Sequence, residues 1–140
     1  MMNQNLIFVP CFILMMTTAS ILCLMFVRRI KSIKCGDIKA SHYKTYDSGD
    51  SEPRLVIQAS RNFSNLHESP TLFYVLCLFS LVTSGVDQVF LYLSWGYVTL
   101  RMIHTLVHVT SNKINPRLLA YGLSWVVLVT MAIKTLININ

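Results

Sequence analysis

The sequence has 140 residues, 54% hydrophobic and only 13% charged, with a formal net charge of +6. With a positive mean hydropathy this is the composition of a membrane-embedded bundle, and the chain is too short for a second domain. The basic surplus does not point to nucleic acid: the Lys and Arg residues sit beside the ends of apolar runs, and no basic surface interleaved with aromatics is visible.

A hydrocarbon core about 30 Å thick takes about 20 apolar residues to cross as a helix. The first such run, Leu6 to Val27, has no charged residue, and the helix is expected over 4–31. No basic residue precedes it, and Arg28, Arg29 and Lys31 follow directly, an order that suits an uncleaved anchor rather than a signal peptide. The next stretch, 32–53, is charged and polar and is the only substantial loop. Its acidic end is read as a solvated turn, with Ser51 or Asp50 capping the second helix and Pro53 in its first turn. His42 reads as a solvated loop residue.

The second helix is expected over 54–83, its apolar part being Ser69 to Val86, with a kink at Pro70, which lacks a backbone donor and crowds the Leu66 carbonyl. A third helix is expected over 88–110 and a fourth over 117–136. Strands are excluded, because four long apolar runs cannot close a barrel and an open strand leaves backbone groups unpaired in lipid. The expected fold is therefore all-α, an integral membrane four-helix bundle forming one domain over 1–140. Cys11, Cys23, Cys35 and Cys77 show no metal-ligand spacing, and no metal is assigned.

Arg28, Arg29, Lys31, Lys34, Lys39, Lys44 and Arg54 lie in the loop between the first and second helices or in the helix ends beside it, and Lys113 and Arg117 flank the turn before the fourth. By the positive-inside rule both regions face the cytoplasm and both termini face the other side. The short loops and the lack of retrieval signals fit a bacterial inner membrane.

Ionisable groups within apolar helices cost about 2.5 to 3.5 kcal/mol each near the bilayer centre, so their clustering is informative. Arg61, Asn65 and Glu68 share an arc of about 60° on the second helix, and the spacing points them inward. Arg101, His104 and His108 form a similar stripe on the third, extended by Tyr97, and Arg117 and Tyr121 share a face of the fourth with Ser124. One reading pairs Glu68 with Arg61 or Arg101 to hold the helices together. Another notes three arginines against a single carboxylate, a surplus that invites an anionic ligand. A third gives His104 and His108, one turn apart, to a metal, against which the neighbouring arginines argue.

These stripes resemble the membrane-associated proteins in eicosanoid and glutathione metabolism, the MAPEG family of microsomal glutathione transferases and the leukotriene- and prostaglandin-forming enzymes. Three motifs in order carry the resemblance: Arg61-Asn-Phe-Ser-Asn65-Leu-His-Glu68 with Pro70 following, Arg101-Met-Ile-His104, and Arg117-Leu-Leu-Ala-Tyr121. The resemblance implies a homotrimer of four-helix protomers with glutathione held between neighbours at the cytoplasmic side. It implies that Arg61, Asn65 and Glu68, with Arg101, His104, His108 and Tyr121, bind the tripeptide, and that Arg117 stabilises its thiolate. The implied activity is a glutathione-dependent transferase or peroxidase acting on a lipophilic small molecule that arrives from the membrane lipids. Ser64 stands where several catalytic members carry another arginine, and His108 where a tyrosine is frequent. The family also contains a non-catalytic lipid-binding member, which supplies the alternative function, and an ion or metal pathway is the third.

Overall fold

The computed structural model describes residues 3–46 and 51–139. Among these the protein is helical, with no strand: a 3-10 turn at Gln4–Ile7 leads into α1 (Phe8–Lys34), followed by short α2 (His42–Thr45), α3 (Arg54–Val82), α4 (Gln88–Val109) and α5 (Ile114–Ile139). The long helices form an all-α bundle in which α4 packs most extensively on α5 and α1 on α3.

Local chemistry sets the helix ends. After Lys34 the chain turns through Gly36 at φ 77°, where the Gly36 and Asp37 N–H groups donate to the Ile33 and Ser32 carbonyls, the paired bonds of a Schellman stop. Ser84, at φ 55°, ends α3 the same way, with the Gly85 N–H donating to the Ser80 carbonyl at 2.7 Å. α3 begins behind Pro53, which is its N-cap and makes no side-chain cap bond. The expected Ser51 cap is thus corrected, because proline's fixed φ already pre-forms the first turn, and Asp50 lies outside the described residues. α5 starts at Ile114 with Pro116 in its first turn, where a missing backbone donor goes unmissed.

The interior is the reverse of a soluble protein's. Leu14, Phe73, Phe90, Tyr97 and Met131 form a buried apolar centre, but Asn62, Arg101, Ser94 and Ser124 are equally buried, while Leu78, Val82, Leu106, Leu118, Val126 and Leu136 face outward. Large outward apolar side chains around a polar interior are what a lipid surround selects. The segments Gln4–Lys34 and Ile114–Ile139 are long and apolar enough to cross a membrane on length and composition alone. α3 and α4 carry the polar stripes.

Contacts across the ends hold the bundle. Arg28 donates from Nη1 to the Leu55 carbonyl and from Nη2 to the Val109 carbonyl, at 2.8 and 2.9 Å, tying α1 to the start of α3 and the electronegative end of α4. His42 is not the solvated residue its position suggests. It is buried, its ring packed edge-on against Tyr43 and Tyr46, while the Arg29 guanidinium lies 5.0 Å from the Tyr43 ring centroid.

At the opposite end, in the turn outside the spans, Asp87 caps α4 by accepting from the Phe90 N–H at 2.8 Å and takes a second bond from Lys134 Nζ at 2.7 Å. Partial desolvation pushes its pKa up, but the bonds from Lys134 and Phe90 and the lysine's charge outweigh it and hold the carboxyl below its ordinary value. A depressed folded pKa stabilises above the unfolded value and is lost as pH falls through the folded one. Thermal unfolding in detergent micelles should therefore weaken below about pH 4 through this group. Asp87→Asn, which keeps the cap, should flatten that limb, and Asp87→Ala should cost about 1 kcal/mol at neutral pH. An acid limb identical in Asp87→Asn would show that the pair does not contribute.

Candidate functional site

The polar stripes converge on an open cleft of about 420 Å³ near the α4–α5 turn. Arg61, Ser64, Asn65 and Glu68 line it from α3, His104 and His108 from α4, and Ile114, Arg117, Leu118 and Tyr121 from α5. Helical spacing explains the convergence, since three- and four-residue steps return to one face and each of these helices turns that face to the same gap. A shallower lobe of about 300 Å³ adjoins it, sharing Arg61, His108 and Arg117 and adding Glu52, Arg54, Gln58 and Asn112.

Two features differ from the sequence expectation. The α3 stripe does not point into the bundle: Arg61 and Glu68 are exposed, because the inner face of α3 at this level is taken by Asn62, Leu66 and Ser69. Arg101 does not line the cleft. It is fully buried behind it, donating from Nη2 to the Asn65 carbonyl at 2.7 Å, with its guanidinium carbon 5.5 Å from the Tyr121 ring centroid. One turn deeper, Tyr97 donates to Ser69 Oγ at 3.0 Å and stacks on Phe73.

Among the described residues the ion pairs are Arg29–Glu52 and Lys134–Asp87, so Glu68 pairs with neither Arg61 nor Arg101. The helix-gluing reading loses its main contact. Three guanidiniums therefore stand in or behind the cleft with one carboxylate in its wall, and the low-dielectric surroundings strengthen their field.

His104 is oriented by α5. Its Nδ1 lies 3.0 Å from the Arg117 carbonyl oxygen, which can only accept, so Nδ1 carries the proton and Nε2 presents a lone pair. The ring lies against His108 and Tyr121, with centroids 5.6 and 5.4 Å away. Arg117 donates from Nη1 to Asn112 Oδ1, which fixes the guanidinium over the cleft mouth. Asn112, at φ 50° in the α4–α5 turn, is a residue the sequence reading did not single out, although an Asn in a turn just before a helix-starting arginine is a usable signal. Asn62, fully buried, also went unremarked beside its charged neighbour.

The arrangement can hold a small polyanion: cations on α3 and α5 with Arg101 buried behind them on α4, amide and carboxylate groups on α3 for its amines, and an imidazole beside Arg117. Among the described residues no three His, Cys, Asp or Glu side chains gather closely enough to hold a metal ion.

No curated protein and no solved structure matches the chain. A protein-family comparison does: the model described as the MAPEG family matches residues 7–137, nearly the whole sequence and all four long helices. With the outward apolar surface and the polar interior, that match makes the protein an integral membrane helical bundle, and the chain belongs to the MAPEG family.

Proposed function

We propose that the protein is a glutathione-dependent transferase or peroxidase acting on lipophilic electrophiles in the bilayer. The observation that carries this reading is the cleft between α3, α4 and α5, lined by Arg61 and Arg117 with Arg101 behind them and Glu68 as the wall carboxylate. Family membership supports it, because the family is associated with glutathione use. In this reading Arg61, Asn65 and Glu68 hold the carboxylates, amide backbone and amino group of the tripeptide, with His104, His108 and Tyr121 completing its contacts.

Arg117 sits beside the sulfur. An unperturbed thiol titrates near about 8.5 and a neighbouring cation lowers that value, so the nucleophilic thiolate is present at neutral pH. The sulfur then attacks an electrophile entering sideways from the membrane: at carbon it displaces a leaving group, and at the terminal oxygen of a lipid hydroperoxide it breaks the O–O bond, releasing the lipid alcohol and leaving a sulfenic acid that a second glutathione converts to the disulfide and water. Positioning and sulfur activation supply the rate.

The same reading takes the working form as a homotrimer in a bacterial inner membrane, with the basic loop in the cytoplasm, both termini opposite and the open side of each cleft closed by a neighbour. An apolar groove of about 460 Å³ along α5, lined by Leu118, Leu119, Gly122 and Leu123, joins the cleft at Leu118. It supports a lipophilic second substrate, and it equally supports the alternative, a non-catalytic lipid-binding protein of the same fold.

Calorimetric titration of the purified protein in detergent separates the two. Saturable glutathione binding with turnover of a generic electrophile is expected. No heat at millimolar glutathione would overturn the transferase reading, and a co-purifying lipid without turnover would favour the alternative.

A further inference from the structure

The contact between α3 and α4 buries more polar atoms than it pairs. Asn62 is fully buried, and neither its Oδ1 nor its Nδ2 meets a partner among the described residues. The same holds for Gln58 Oε1, Thr105 Oγ1, His108 Nδ1, His104 Nε2 and two of the three nitrogens of Arg101. All six side chains are more than nine-tenths buried.

These atoms are not scattered. The bonds Tyr97 to Ser69 and Arg101 to Asn65 set the register of two antiparallel helices, each step of four along α4 matching a step of four back along α3. Continued by another turn or two, that register puts His104 and Thr105 level with Asn62, and His108 level with Gln58. The unpaired groups thus form a column between α3 and α4 that meets the cleft at His104 and His108. Its inner end is Arg101 and His104, and its outer end is Gln58, which also lines the shallow lobe with Glu52.

Buried polar groups in folded proteins are almost always bonded, and where no protein partner exists the partner is ordered water held by several such groups. Water bonded to successive members of such a column would link them end to end.

We propose that the α3–α4 seam holds a chain of ordered water that carries the proton of a cleft-bound thiol from His104 to the Glu52 lobe. The proposal rests on the thiol-binding reading of the cleft. The S–H bond breaks with its electron pair left on sulfur, and the proton passes to His104 Nε2. From there each water accepts one proton and releases one, so the chain is regenerated as the proton leaves at the lobe.

Charged and titratable groups stand at both ends of the path. Arg101 and Arg117 stand at the inner end with Tyr97, Tyr121 and Glu68, His108 lies midway, and the Glu52 carboxylate stands at the outer end with Arg54 and Arg61 flanking the lobe. Each end thus combines two of these arginines with one carboxylate, so the proton moves outward because the thiol supplies it at the inner end and solvent takes it up at the lobe.

The test uses the full-length protein in detergent, with Asn62→Leu and, should that variant not fold, Thr105→Val. A hydrated seam predicts a lower thermal midpoint for either variant, because the apolar group strands the water's other partners; a dry seam predicts a higher one, because an unmet polar group is removed. With glutathione as the probe, proton release to an indicator dye should slow about tenfold, equivalent to about 1.4 kcal/mol of barrier, while the final thiolate absorbance is unchanged. Asn62→Ser, which keeps a polar group, should restore most of the rate. A raised midpoint, or proton release at the parental rate, would overturn the proposal. If the parent protein binds no glutathione, the transferase reading fails and the seam loses its proton, whereas its hydration is still decided by the sign of the stability change.

Discussion

Arg117→Ala should abolish the thiolate signal that appears when glutathione is added. The guanidinium is held at the cleft by Asn112, with Tyr121 one turn along the same helix and His104 bonded to the Arg117 carbonyl. An opposite charge at close range lowers an acid's pKa by about 1 to 3. Removing it returns the bound thiol toward about 8.5, so at pH 7 the thiolate fraction falls on the order of twentyfold for a midrange loss of about 2. Turnover should fall in proportion and recover on raising the pH, because the lost function is deprotonation rather than binding. Arg117→Lys should retain part of the signal, since charge is kept while the planar fork is lost. A thiolate absorbance unchanged in Arg117→Ala would remove this residue from its role and transfer the task to Arg61 or Arg101.

The second large effect lies in the core below the cleft. Phe73 is fully buried and stacked on Tyr97 with ring centroids 4.6 Å apart. Phe73→Ala should destabilise by about 3 to 5 kcal/mol, the range for emptying an aromatic site in a close-packed interior, read as a lower thermal midpoint in detergent. The damage should extend to the cleft. Without the stack Tyr97 loses the support that aims its hydroxyl at Ser69, and the next contact up the same two helices is Arg101 on the Asn65 carbonyl. Phe73→Leu, which refills most of the volume, should lose less on both counts. A midpoint within 1 °C of the parent would mean that the α3–α4 contact closes over the void.

These two expectations draw on different kinds of information. The helices and their all-α arrangement are legible because hydropathy over about 20 residues is a long-range average that single polar residues barely disturb. The gathering of Arg61, Asn65, Glu68, His104, His108, Arg117 and Tyr121 around one gap is legible because helical period fixes which residues share a face. Depth is not legible in that way. Arg101 has the same spacing from His104 that many cleft residues have from one another, yet it is fully buried behind the wall, because the tilt of α4 against α3 and α5 decides which part of a stripe is covered.

His42 fails for the opposite reason. Its burial depends on Tyr43, Tyr46 and Arg29 folding the start of the loop back onto α1, a contact between segments that share no periodicity. The inward aim of the α3 stripe is likewise a matter of which face its neighbours leave open. The match to the MAPEG family covers all these elements at once and ties the bundle to a membrane in a way that the charged α3 and α4 do not by themselves.

The bond from His104 to the Arg117 carbonyl has a mechanical side. It attaches the imidazole of one helix to the main chain of the next at the very residue whose side chain reaches over the cleft. In the proposed reading, α5 cannot shift at this level without drawing on the His104 ring of α4, whereas Arg61, Asn65 and Glu68 belong to α3 and have no such tie to Arg117. Any widening of the cleft then falls between α3 and the α4–α5 pair, and the two groups that the proposal sets beside the sulfur keep their spacing.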